Sequence, residues 1–178
     1  MNDLMWFLTR ATGIVATVLG VAALCWGFFF SARETGRRLR PAWWLDLHNW
    51  LGGLALVFTG LHVATALLDG DLGLRIVDLL VPGAAVDDRW ALAWGVIAMY
   101  LFAVAVFTSW PRRRFPRRVW RVLHLGSVVG VALAMLHAQQ IGTEASTVAF
   151  MQGLLVLFGF GVQALLVRVL GVVSRMRR

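Results

Sequence analysis

Long apolar runs separated by short charged clusters set the pattern of this chain. Five runs are long enough to cross a bilayer, whose ~30 Å hydrocarbon core takes about 20 residues of helix. They cover residues 5–30, 43–68, 91–110, 119–138 and 148–170. None alternates apolar and polar positions as a lipid-facing strand does, so each reads as a helix. The pattern predicts an all-α membrane protein: a five-helix transmembrane bundle forming one domain over residues 1–178. A short interfacial helix is expected over residues 72–81. The first run could instead be a cleaved signal peptide. However, no positive charge precedes Arg10, and the run exceeds a signal's apolar region. A permanent helix is therefore expected.

Composition agrees. Of the 178 residues, 60% are hydrophobic and 15% charged, against ~25% charged in a soluble domain. This excludes a disordered chain and argues against a soluble enzyme. The net charge of +8 comes from 17 basic residues, all arginine. They sit between apolar runs as topogenic charge, so no nucleic-acid partner is expected. Arg33, Arg37, Arg38 and Arg40 follow the first span, and Arg112, Arg113, Arg114, Arg117 and Arg118 follow the third. Arg175, Arg177 and Arg178 end the chain. The second loop holds Asp69, Asp71, Asp78, Asp87 and Asp88 against Arg75 and Arg89, and the fourth only Glu144. The positive-inside rule then puts the N-terminus outside and the C-terminus in the cytoplasm of a bacterial-type plasma membrane. Trp6, Trp90 and Trp94 mark the outer interface, and Trp43, Trp44, Trp110 and Trp120 the inner one. No internal repeat is evident.

The chemistry lies in four histidines, all in predicted spans. His48 and His62 are 14 residues apart on the second span, and His124 and His137 are 13 apart on the fourth. These separations are about 21 and 19.5 Å of helix. The second and fourth spans run in the same direction. His48 and His124 therefore share one depth near the inner face, and His62 and His137 share another near the outer face. A single intramembrane histidine serves a proton relay, a pore or an interhelical hydrogen bond. Two pairs at matched depth suit two non-covalent b haems, each between two imidazoles, within the bundle core. Zinc or copper would find only two histidines per depth, with Asp46 the one nearby acid. With Cys25 the sole cysteine and no CxxCH, an intrachain disulfide, covalent c-type haem and thiolate metal sites are excluded. One face of the second span reads His48, Gly52, Ala55, Thr59, His62, small enough to leave space for a macrocycle. Gly126, Gly130 and Ala134 precede His137. Close helix packing explains such glycines equally well. Thirteen residues leave His137 about 140° from His124 on a regular helix, so the fourth span presents two faces or bends.

The spacing His48-x13-His62 with His124-x12-His137 resembles the ferric reductase-like transmembrane domain. Leu8-Thr9-Arg10-Ala11-Thr12-Gly13 is similar to that family's opening helix. The resemblance covers about residues 5–170. It implies that the four histidines are axial haem and iron ligands, with two haems between the second and fourth helices. Electrons would pass from the cytoplasmic to the outer haem. NADPH oxidases of this family carry a C-terminal flavin and nicotinamide domain. Only a short basic tail follows the fifth span here, so an oxidoreductase component without its own flavin domain is expected. Its donor would be a separate protein, a quinol or a loosely bound flavin. Its acceptor would be a ferric chelate, dioxygen or an extracytoplasmic redox protein.

Other residues carry two readings each. Arg10 could pair with a haem propionate or snorkel to lipid phosphate. Arg121, three residues before His124, could meet a propionate of the inner haem. Asp46 suits a loop arginine. Trp50 and Phe58 could flank the electron path or face lipid. Gln139, Gln140 and Glu144 could border an acceptor site. The Arg112–118 run could dock a donor or acidic lipid. Two other classes stay open: a quinone-linked cytochrome b subunit of a larger dehydrogenase, and a non-redox protein with a histidine proton relay. Scarce membrane acids and the lack of broken helices weigh against the second.

Overall fold

The computed structural model describes residues 3–32, 41–109, 115–141 and 146–176. The helices are α1 (Asp3–Ala32), α2 (Pro41–Leu68), α3 (Ile76–Leu80), α4 (Arg89–Ser109), α5 (Arg117–Ile141) and α6 (Val148–Met176). Five of them, all but α3, are long and apolar enough to span a membrane. Most outrun their apolar cores by a few residues, because helix continues into the polar boundary where water and headgroups satisfy its ends. Large apolar side chains such as Trp50, Val122 and Leu155 are exposed, as expected where lipid covers the surface. The loop arginines 33, 37, 38, 40 and 112–114, Glu34, Trp110, Glu144, Arg177 and Arg178 lie outside the described residues, as do the side chains of Asp3 and Arg175.

Two helical hairpins make the architecture. α1 packs along α2, and α4 along α5. α6 lies against α1, and the hairpins meet chiefly through α1 with α5 and α2 with α4. By contrast, α2 and α5 hardly approach each other at the backbone level. The first hairpin is clasped by tryptophans. Trp26 and Trp44 stack with centroids 4.3 Å apart. Trp26 Nε1 donates to the Trp44 carbonyl at 3.2 Å, and Trp44 Nε1 to the Trp26 carbonyl at 3.4 Å. Trp44 is buried. An expected interfacial anchor is thus also a lock between helices.

Between α2 and α4 the chain forms a small polar cap. A 3₁₀ turn, Gly70–Leu72, follows Asp69, whose side chain accepts from the Asp71 amide at 3.2 Å. The helix expected over residues 72–81 contracts to α3. Gly73, in the left-handed region at φ 60°, ends the turn and prevents a longer helix. Asp78 then fastens α3 to its entry: it accepts from the Arg75 amide at 2.9 Å and from both arms of the Arg75 guanidinium at 3.1 and 2.9 Å. Tyr100 of α4 donates to the Leu80 carbonyl at 2.6 Å, tying the cap to the bundle.

The Arg75 side chain and amide bonds hold the Asp78 carboxyl below the ordinary carboxylate range. A carboxyl depressed on folding stabilises above its unfolded value of about 3.9. That contribution is lost as pH falls through the folded value. Amide protection over residues 75–80 is therefore expected to be constant from pH 7 to 5 and to fall below about pH 4. Asp78→Asn should lower protection throughout and abolish the acid step. Hydrogen exchange by mass spectrometry, compared as protection factors, reads both.

Candidate functional site

The four predicted histidines do converge, two by two. The His48 and His124 rings lie with centroids 5.8 Å apart and planes at 69°. The His62 and His137 rings lie 6.1 Å apart at 78°. α2 and α5 supply one imidazole each to both pairs. α5 is continuous from Arg117 to Ile141, so both histidines reach their partners without a helix break.

Each imidazole is anchored on the helix preceding its own. His48 Nδ1 lies 3.0 Å from the Ala23 carbonyl and His62 Nδ1 lies 2.8 Å from the Thr9 carbonyl, both on α1. His137 Nδ1 lies 2.8 Å from the Ala91 carbonyl on α4. A carbonyl only accepts, so Nδ1 carries the proton and donates. Nε2 is left with its lone pair. A hydrogen bond at the far nitrogen is the usual way the tautomer of a metal-binding histidine is fixed. His124 differs. Its Nδ1 meets Ser109 Oγ at 3.2 Å, and the Trp120 ring stacks on it with centroids 5.0 Å apart at 16°.

Three glycines make the carbonyl bonds possible. In a helix, Cβ leans toward the N-terminus, so the side chain four residues on overhangs a given carbonyl. Gly13, Gly27 and Gly95 stand four residues after Thr9, Ala23 and Ala91. A Cβ at Gly13 would meet His62 Nδ1 at 2.9 Å, at Gly27 it would meet His48 Cε1 at 3.1 Å, and at Gly95 it would meet His137 Nδ1 at 2.8 Å. The glycines singled out from sequence behave differently. A Cβ at Gly130 would meet Phe102 and Leu101 of α4 at 3.1–3.2 Å, and one at Gly126 would meet Leu101 at 3.3 Å. Both are close-packing positions. Gly52 has nothing within 4 Å of a Cβ, and Thr59 and Ala134 line a cavity at the His62–His137 pair.

That cavity measures about 450 Å³ and is walled by α1, α2, α4 and α5, with Asp69, Asp87 and Asp88 of the cap. The volume falls in the range of small-molecule and cofactor sites. Arg10 lines it, with its guanidinium 4.1 Å over the Trp6 ring. Thr9 Oγ1, buried and without a hydrogen-bond partner, belongs to the same wall. Arg121, by contrast, is exposed and makes no hydrogen bond or ion pair among the described residues. Asp46, Trp50, Gln139 and Gln140 are also exposed, and Phe58 is half-buried. Gly13, Gly27, Gly95, Ser109 and Trp120 escaped the sequence reading. Their signal was spacing: Gly13 to Gly27 and Gly95 to Ser109 are each 14 residues, as are His48 to His62.

Chemically, each level offers two imidazole donors. Among the described residues no three His, Cys, Asp or Glu side chains gather. Such a pair suits a metal centre that already carries its remaining donors. The architecture and this site define a multi-pass helical membrane protein with two bis-imidazole levels. The chain belongs to the ferric reductase-like transmembrane family: the family model, a ferric reductase like transmembrane component, matches residues 12–135. The match takes in His48, His62 and His124 and stops short of His137. No curated protein and no solved structure matches the chain. Membership suggests a membrane electron-transfer component.

The seats are testable by size. Gly95→Ala is expected to force His137 off the Ala91 carbonyl and cost about 1–3 kcal/mol as overpacking. Gly53→Ala on α2, where a Cβ meets nothing within 4 Å, should be neutral or gain up to about 1 kcal/mol of helix propensity. Thermal unfolding of the two variants in the same detergent checks the contrast.

Proposed function

We propose that this chain is a dihaem b-type cytochrome that carries single electrons across the membrane. His48 and His124 would hold one haem, and His62 and His137 the other. The observation that carries this reading is the facing of two imidazole pairs whose Nδ1 protons are already committed. An ion bonded to both imidazoles at about 2.0–2.1 Å, the usual metal–imidazole length, would hold the ring centres slightly more than about 6 Å apart. The observed separations are 5.8 and 6.1 Å. The standoff of α2 from α5 leaves a flat group room between them. Haem would bring four nitrogen donors of its own, which matches a donor set of two imidazoles per level, and would supply one-electron chemistry.

The protein's own residues do the rest. Carbonyls of Thr9, Ala23 and Ala91 keep three imidazoles in one tautomer and one orientation. Arg10 offers a cation, and Thr9 a hydroxyl, to acidic substituents of a group in the cavity. The apolar walls exclude water. The two levels are separated by 14 residues of α2, about 21 Å of rise, which spans most of the hydrocarbon core. In the topology that follows from the arginine loops, the His48–His124 level faces the cytoplasm and the N-terminus lies outside. A cytoplasmic-side donor (a redox protein, a quinol or a flavin) would then feed an extracytoplasmic acceptor such as a ferric chelate, dioxygen or a redox protein.

Optical spectra of the purified protein, oxidised and dithionite-reduced, with a pyridine haemochrome count, test the proposal. About two b haems per chain are expected. His62→Ala or His137→Ala should remove one, and His48→Ala or His124→Ala the other. Well-folded wild-type protein that acquires no haem would overturn it.

A further inference from the structure

The fourth histidine seat is built differently from the other three, and the difference is a single residue. In three seats the helix offers a carbonyl, then a glycine four positions later: Thr9 and Gly13, Ala23 and Gly27, Ala91 and Gly95. The fourth seat follows the same register on α4, as Ala105 and Ser109. Here the residue four positions on has a side chain. Ser109 Oγ donates its only proton to the Ala105 carbonyl at 2.6 Å. The carbonyl that register assigns to His124 is thus shared between the serine proton and the imidazole.

The hydroxyl stands beside that carbonyl as a second acceptor for His124. With its proton committed, Ser109 Oγ can only accept. His124 Nδ1 reaches it at 3.2 Å, and Trp120 Nε1 at 3.4 Å. Two lone pairs serve two donors, so the hydroxyl is fully used. A neutral hydroxyl shared between two donors pulls less on an imidazole N–H than the undivided lone pair of a carbonyl. The three contacts with the carbonyls are also shorter, at 2.8–3.0 Å. A stronger acceptor at Nδ1 makes the imidazole a more basic ligand and favours the oxidised metal.

We infer that Ser109, held between the Ala105 carbonyl and Trp120, is a positioning residue that makes His124 the weakest-donating of the four ligands and raises the reduction potential of the His48–His124 centre. The inference rests on the haem reading above. It makes the two levels electronically unequal, although α2 treats its own two histidines alike. An electron shared between the levels is drawn toward the His48–His124 centre. Trp120, stacked on His124, reinforces the same seat from the side.

Two substitutions separate tuning from support, because both delete the Trp120 acceptor equally. Ser109→Gly uncaps the Ala105 carbonyl and recreates the seat of the other three histidines. Ser109→Ala removes the hydroxyl while its Cβ still overhangs the carbonyl. Redox titration of the purified protein, followed optically and resolved into two one-electron midpoints, is the readout. His62→Ala identifies the midpoint belonging to His48–His124. Ser109→Gly is expected to lower that midpoint and Ser109→Ala to raise it, while the other midpoint stays in place. A tenfold change in the reduction equilibrium between these two variants would appear as ~59 mV. Ser109→Thr, which keeps the hydroxyl, should stay with the wild type. Shifts in the same direction, no shift, or equal shifts of both midpoints would overturn the inference while leaving the haem reading intact. If Ser109→Ala loses this haem, retention by Ser109→Gly with a lowered midpoint sustains the inference, and loss there overturns it. Wild-type protein without haem overturns both.

Discussion

The hydrogen bond from an imidazole Nδ1 to a carbonyl on the neighbouring helix is the constraint around which this bundle is arranged. In a hydrocarbon setting a polar group without a partner is costly, and a histidine has two nitrogens to settle. Helical carbonyls are already bonded to the amide four residues on, yet each keeps a second lone pair. Reaching it requires the imidazole to come where the next turn's Cβ would stand. Glycine at that position resolves the conflict. Hence the helix before each histidine helix must run alongside it, closely and in register, and the hairpins α1–α2 and α4–α5 follow.

Pairing within hairpins leaves the contact between hairpins as the looser one. α2 and α5 carry the histidines but hardly touch, because each spends its closest approach on its own partner helix. The rings still face each other across the remaining distance, near 6 Å at both levels. The hairpins thus act as two walls whose inner faces present nitrogen lone pairs. The same device used twice along α1, 14 residues apart, sets the vertical distance between levels without reference to the loops. α6, packed mainly on α1, braces a wall and carries no histidine.

Much of this was legible in the sequence. Five apolar runs gave five spans, since length and hydropathy alone decide what a bilayer accepts. The histidine pairing was legible because two co-directional helices put equal offsets at equal depth. The seats were not legible, for two physical reasons. The small residues nearest the histidines in sequence lie on the histidine helices, where Gly126 and Gly130 stand against Leu101 and Phe102, whereas the glycines that seat the imidazoles lie on the preceding helices. A glycine in a membrane helix also has a default role in close packing, so one glycine carries little information. Repetition carries it: Gly13 and Gly27 echo His62 and His48 in reverse order, as two antiparallel helices require. Two tryptophans likewise carry more than their position along the chain suggests. Trp44 and Trp120 fit an interfacial belt, yet one clasps α1 to α2 and the other stacks on His124.

The 13-residue interval on α5 fits the same picture. On α2 an interval of 14 residues returns within about 40° of one face, so both of its histidines can meet identical carbonyl seats on α1. On α5 the interval of 13 places the two imidazoles about 140° apart around the helix. His137 attains the carbonyl of Ala91 directly. His124 shares the carbonyl of Ala105 with Ser109, whose hydroxyl extends from the backbone to reach it. A serine in the register position of a glycine is the one departure among the four histidine seats. Unequal anchoring of the two levels follows from helical geometry as much as from the chemistry of either site.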